Sequence, residues 1–591
     1  MTIERLVAAS SAWSVSLSPD GTRLAYVSDR DGAPRLVVCN LDGSAERTLE
    51  TGEEPVQEAH WSVDGGFIAF LVAPGGSPRT EVWAIRADGT DPRRISAAAG
   101  TASYLGPWTH RDPVLAVART TNPTAGVAEL IDVETLAVSP IARGGQPVVL
   151  DVDAERRVAL VRRGPRSART MWAVSLDTHR ETELAFAGEP GSTDLGRLSP
   201  DGKTAYLRSN AGRDLFALVA VRLSDLTMDV VAARPDAEVE DVILTADGRT
   251  CAVLWNRMGR TECELVDLET GHGTELLLPE PVAHGGAFSR DGRFLTLVLE
   301  GPTHPRAVYV LDREQGAFRR VTTQRPGWTD PVTTPTLERL RSSDGLELTG
   351  WLYRPASAPG GRHAAVIHLH GGPEAQERPR YNPLFQALAA AGIAVFAPNV
   401  RGSSGFGRIF VDSDNVGGRW GAIADVAACA EFVFSQGLAT PETLACAGRS
   451  YGGYLTLAAL VFHPSLFAAG VDVCGMCDFD TFYRDTEPWI ARGAYPKYGH
   501  PEDDAELLHD LSPIHRFGAL RAPLLVVHGE NDTNVPLGQA LQVVAEAERR
   551  GVPVELLVFP GEGHELLLRS SRERFVERTV GWLRRQLLRE P

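Results

Sequence analysis

The hydrophobic pattern changes character once along the chain. Up to about residue 325, short apolar runs such as Arg23 to Val27 and Arg35 to Cys39 alternate with polar breaks, and the runs come in groups of four. Each group carries one marker. Ser18-Pro19-Asp20-Gly21 returns as Ser62 to Gly65, Ser199 to Gly202, Thr245 to Gly248 and Ser289 to Gly292, with degenerate copies at Thr109 to Asp112 and Asp151 to Asp153. The marker aspartates are 20, 64, 112, 153, 201, 247 and 291, so the steps are 44, 48, 41, 48, 46 and 44 residues. Asp-Gly between apolar runs signals a hairpin, because glycine accepts the positive φ of a tight turn. Four short strands per unit describe a blade that cannot bury both of its faces alone. The pattern predicts a seven-bladed β-propeller over residues from about 10 to 325, with a pair of β-sandwiches as the alternative.

Beyond a Pro-, Thr- and Gly-rich stretch, Thr322 to Thr334, which reads as a linker, strands and helices alternate. Strands are predicted at 346–353, 364–370, 394–398, 444–447, 469–474, 523–528 and 553–559. Helices are predicted at 384–391, 422–436, after Ser450, at 538–550 and at 571–588. That order implies a mostly parallel, doubly wound sheet clad on both faces. The expected division is 1–330 for the propeller and 331–591 for an α/β-hydrolase domain, with the first few residues available to pack on the hydrolase.

With 591 residues the chain exceeds one core, which agrees with two domains. A net charge of -17 argues against a nucleic-acid surface. Seven scattered cysteines, an odd number without framework spacing, point to reduced thiols. Without a visible signal peptide or an apolar run near membrane length, the expected location is the cytoplasm, away from any membrane. Cys474 and Cys477 form a CxxC and His368 and His370 an HxH, but neither has further ligands at metal spacing, so both read as structural and no metal or cofactor is expected.

The chemistry gathers at Gly448-Arg449-Ser450-Tyr451-Gly452-Gly453, a serine between glycines where a short apolar strand meets a helix. This is the pattern of a nucleophile elbow. A serine hydroxyl needs an imidazole to take its proton and a carboxylate to orient that imidazole. In an α/β-hydrolase they follow in the order Ser, acid, His. Asp532 sits after the strand Leu524 to Gly529, and His564 after Glu555 to Phe559. Glu530 is the alternative acid and His528 the alternative base. Backbone N–H groups of Tyr451 and Gly372, with Gly371 in reserve, are the expected oxyanion donors.

The elbow, His370-Gly371-Gly372-Pro373, Asn399 to Gly407, His528 to Asp532 and Gly563-His564, following a propeller, together resemble the prolyl oligopeptidase family of serine peptidases. Within it the chain is most similar to the acylaminoacyl-peptidase and bacterial dipeptidyl/aminopeptidase branch. The resemblance implies an active site in the cavity between hydrolase and propeller, with Ser450, Asp532 and His564 as triad. It also implies that Phe482 and Trp489 are candidate walls of the first specificity pocket. Relatives usually carry arginine two residues after the catalytic aspartate to bind a substrate carbonyl. Here Asn534 stands there, as in the dipeptidyl-peptidase branch. Recognition of a free amine would then need a carboxylate, with Glu487 as candidate and Glu53-Glu54 as a weaker one. The expected activity is hydrolysis of short peptides or aminoacyl amides through an acyl-enzyme. The alternatives are an esterase, amidase or acyl transferase acting on a small natural product, and a silent propeller binding protein. A homo-oligomer is left open.

Overall fold

The structure, a computed structural model, describes residues 2–589 apart from 97–100, 121, 123, 154, 185–188, 323–331 and 358–360. Seven four-stranded antiparallel sheets span 12–48, 56–94, 102–143, 148–183, 193–232, 238–276 and 282–320, each made from consecutive strands. They are the seven blades of a propeller, and apolar side chains fill the space between neighbouring blades. The same packing joins the two ends of the ring. Leu17, Leu24 and Tyr26 of the first blade share a core with Val308 and Val310 of the seventh. At the rim Arg319 donates to the carbonyls of Leu41 and Asp42 at 2.8 and 3.0 Å. Among the described residues no strand is exchanged between the first and last sheets.

The turn chemistry explains the repeat. In the second blade Ser62 Oγ donates to Asp64 Oδ1 at 2.6 Å and accepts from Phe67 N at 2.9 Å, and Gly65 follows with φ 75°. The Ser289 turn repeats these contacts. In the fourth blade, where the marker decays, a carboxylate replaces the hydroxyl. Asp153 Oδ1 accepts from Val158 N at 2.7 Å, and Arg156 takes the positive-φ position at 54°.

The segment 323–331, which holds most of the expected linker, lies outside the described residues. The second sheet has eight strands, numbered here β1 (Thr336–Arg341), β2 (Glu347–Tyr353), β3 (Ala364–Leu369), β4 (Ile393–Asn399), β5 (Leu444–Arg449), β6 (Ala469–Val473), β7 (Leu524–Gly529) and β8 (Val554–Phe559). Their order is β1-β2-β4-β3-β5-β6-β7-β8, parallel from β4 onward. Crossover helices cover both faces. Arg419–Ser435, Tyr451–Phe462 and Gly538–Arg549 build one core, while Pro383–Ala390 and Arg569–Leu583 build the other. The N-terminal helix Ile3–Ala8 buries Leu6 and Val7 in this second core, and Tyr381 Oη donates to the Leu6 carbonyl at 2.7 Å. Among the described residues no helix is long and apolar enough to cross a membrane.

Candidate active site

Every expected catalytic residue leaves a parallel strand at its carboxyl end, so all converge on one edge of the sheet. Ser450 follows β5 directly. Its backbone is held at φ 55°, ψ -116°, and its N–H donates to the Val473 carbonyl at 2.8 Å. The glycines around it are required by contact. A Cβ on Gly448 would stand 2.3 Å from the Gly452 carbonyl oxygen, and one on Gly452 would stand 1.9 Å from that of Leu369. The elbow is therefore pressed against the end of β3, where His370, Gly371 and Gly372 begin.

After β7 the chain turns so that Asp532 is 4% exposed. Its Oδ1 accepts from the N–H groups of Asn534 and Val535, both at 2.9 Å. Its Oδ2 pairs with His564 Nδ1 at 2.7 Å. Two backbone donors fix one oxygen, and the other turns to His564, with His528 Nε2 farther off at 3.5 Å. His564, on the loop after β8, keeps 16% of its side chain exposed. Burial works against its charging, but Cys474 and Asp532 outweigh that and push the imidazole up to about 10. His528 is buried, bonded through Nε2 to the Val535 carbonyl at 2.8 Å and lowered by burial. Glu530 is exposed. Neither alternative is set to serve as base or acid.

Tyr451 is the first residue of its helix, so its N–H has no intrahelical acceptor. Its ring is fixed from behind: the hydroxyl meets Arg419 and lies 3.3 Å from Asp414, and the buried Arg419 guanidinium stands over the ring at 4.8 Å. Gly372, with φ 136°, lines a cavity of about 260 Å³ that Ser450 also lines. Gly371 is also close to the serine, since a Cβ there would lie 3.6 Å from Ser450 Cβ.

Phe482 and Asn534 face this cavity, together with Met476, Ile490, Ala494, Tyr498 and Val535. Two expectations need correction. Trp489 does not line the cavity; Ile490 does, because successive helical positions point about 100° apart. Glu487 is not free for a substrate amine. It stands at the N-cap position of the same helix, and its carboxylate forms an ion pair with Arg79 of the propeller, Nε to Oε1 at 2.8 Å. Glu54 is likewise engaged, accepting from Gly75 N at 2.7 Å.

The cavity carboxylate is instead Glu374, one residue past Pro373. Lys497 Nζ lies 3.6 Å from it and Arg166 Nε of the propeller 3.8 Å, and Arg166 also donates to its carbonyl at 2.6 Å. Burial raises the Glu374 carboxyl against the pull of these cations. The position beside Pro373 could have flagged Glu374 in the sequence, whereas nothing local signals Arg166. Cys474, next after Val473, was also missed as a neighbour of the site. A sulfur, a carboxylate oxygen and a ring nitrogen from Cys474, Asp532 and His564 lie within 4.8 Å of one another. Cys477 is buried against Gln539, and His370 is tied to the Gly371 carbonyl and the Ser403 hydroxyl.

A serine hydroxyl, an imidazole anchored by a carboxylate, and the N-terminal end of the Tyr451 helix beside a cavity make a set suited to acyl transfer. The comparisons agree with this chemistry. Residues 379–589 match the prolyl oligopeptidase family. The chain is 25% identical over 612 residues to dipeptidyl aminopeptidase BIII of Pseudoxanthomonas mexicana, covering 96% of this chain and 86% of that one. In fold it is similar to a puromycin-hydrolyzing peptidase of Mycobacterium tuberculosis, with TM-score 0.87 and 17% identity over 99% of this chain and 96% of that one. It is also similar to the acylaminoacyl peptidase of Pyrococcus horikoshii, with TM-score 0.76 and 18% identity over 100% and 98%. The match to the prolyl oligopeptidase family thus falls on residues 379–589, the part of the chain that carries Ser450, Asp532 and His564.

Proposed function

We infer that the protein is a serine peptidase that hydrolyses short peptides or aminoacyl amides, with Ser450, Asp532 and His564 as its triad. The observation that carries this reading is the Asp532 carboxylate, pinned on one oxygen by two backbone N–H groups and bonded through the other to His564 Nδ1. His564 Nδ1 then holds its proton toward Asp532, and Nε2 keeps the lone pair that receives the Ser450 proton. The freed oxygen attacks the substrate carbonyl carbon. The charge that develops on the carbonyl oxygen is met by the N–H groups of Tyr451 and Gly372. His564 next returns its proton to the departing amine, and water repeats the sequence on the acyl-enzyme.

The propeller supplies Arg166 to the wall of the cavity, so both domains shape the site and large substrates are excluded. The lining combines apolar side chains with Lys497 and Arg166, which are paired with Glu374 and, for Lys497, also with Asp414, and this favours a neutral side chain at the cleaved bond. All seven cysteines are free and buried, which supports a reducing, cytoplasmic setting. The test is a panel of p-nitroanilides with free, acylated and dipeptidyl N-termini beside p-nitrophenyl esters, run on the protein and on Ser450→Ala. Turnover of anilides that vanishes in the variant is expected. Turnover of esters alone would replace the peptidase reading with an esterase.

A further inference from the structure

Cys474 lies against His564 and Asp532, and the hydrolytic cycle does not use it. Its backbone sits in the left-handed region at φ 42°, its N–H is bonded to the Val527 carbonyl at 2.8 Å, and its side chain is buried. The position is thus fixed on both sides by the sheet. The thiol, one Asp532 oxygen and one His564 nitrogen lie mutually within 4.8 Å. Around a tetrahedral zinc ion with bonds of about 2.0–2.3 Å, ligand atoms stand roughly 3.3–3.8 Å apart. Side-chain rotations of about 1 Å close the difference.

We propose that Cys474, Asp532 and His564 form an inhibitory site for a thiophilic divalent cation, zinc first, with water as the fourth ligand. Sulfur, nitrogen and oxygen donors are the set that zinc and cadmium accept, whereas magnesium and calcium need oxygen ligands that one carboxylate cannot supply. Binding breaks the S–H bond of Cys474, forms a metal–sulfur bond and releases that proton to solvent. The oxidation state of the metal does not change. Thiolate and carboxylate together balance the dication, and Arg449, which also lies against this thiol, is already paired with Glu565. Either mode of imidazole coordination stops catalysis. A metal on Nδ1 replaces the Asp532 contact, and a metal on Nε2 takes the lone pair that must receive the serine proton.

The test has two arms. In the first, hydrolysis of a p-nitrophenyl ester is followed with Zn²⁺ alone, with Mg²⁺ alone, and with Zn²⁺ followed by EDTA. Each protein is compared with its own metal-free rate. Zn²⁺ should inhibit, EDTA should restore the rate, and Mg²⁺ should do nothing. Cys474→Ala and Cys474→Ser should raise the half-inhibiting Zn²⁺ concentration about tenfold or more. Unchanged sensitivity in both variants overturns the proposal. The second arm needs no activity. Cd²⁺ added to the full chain should produce a thiolate-to-metal absorption band and release a proton. That band should persist in Ser450→Ala and disappear in Cys474→Ser. No band in the unaltered protein, or the same band in Cys474→Ser, overturns it equally.

Discussion

Replacing Asp532 by asparagine isolates what the carboxylate does. The side chain keeps its size and changes one oxygen to an amino group. Two backbone donors, Asn534 N and Val535 N, point at the inner oxygen position at 2.9 Å, so only the amide oxygen can occupy it. The amino group is then forced outward, against His564 Nδ1, where the carboxylate oxygen stood at 2.7 Å. A donor in that place makes Nδ1 accept, which moves the ring proton to Nε2. The imidazole is then in the tautomer that cannot take a proton from Ser450. A loss of about 10⁴ in kcat is expected, equivalent to roughly 5.4 kcal/mol of barrier. The fold should survive, because each hydrogen bond has a replacement, and Glu530→Gln should leave kcat within about twofold, as surface changes do. Steady-state kinetics on an activated ester and an aminoacyl anilide, beside thermal melting, measure both quantities. A loss under tenfold with unchanged melting would refute the assignment of Asp532, and a large loss in Glu530→Gln would move the role to that residue.

Other expectations concern charge and burial. With the His564 imidazole pushed up to about 10, the neutral base becomes available only as pH rises. The profile of kcat/KM should therefore climb with an acid limb above the ordinary value of about 6.5, and a limb at or below it contradicts the reading. Arg419 is fully buried with its partner Asp414, whose other oxygen lies 3.1 Å from Lys497 Nζ. Arg419→Leu strands part of that charge and should cost about 3–5 kcal/mol. At about 2–4 °C per kcal/mol the melting point should fall by roughly 6–20 °C, and calorimetry showing a drop under about 2 °C would count against it. Substrates with Lys or Arg at the cleaved bond should have kcat/KM roughly tenfold or more below Leu or Phe substrates, because they meet Lys497 and Arg166. Arg166→Ala should narrow that gap, and equal rates in the unaltered protein would remove the charge argument.

The features legible in the sequence are those written in one short stretch. A propeller blade announces itself because Ser-x-Asp-Gly closes its own hairpin by contacts no more than five residues apart. The expected triad is readable for the same reason: strand, turn and residue sit together three times over. Features assembled from distant stretches left no trace. Arg166 and Glu374 are 208 positions apart, and Arg79 reaches Glu487 across 408. That second pair is why Glu487, sensible as a free acid in the sequence, is already spent. Trp489 failed on rotation, since a segment can be placed beside a pocket long before the helical phase that decides which of its residues faces in. The helices Phe479–Asp485 and Ala505–Leu511 are short and charged, and Pro488–Tyr498 carries Pro and Gly, which blurs their periodicity.

The junction of the first and seventh blades has a mechanical meaning. A hoop whose ends are interlaced must tear a ladder of hydrogen bonds to widen. This one meets end to end, like a split washer, on an oily seam and the grip of Arg319. Spreading it exposes some apolar surface and leaves every blade intact. The width of the ring is then a matter of elasticity more than of fixed bore.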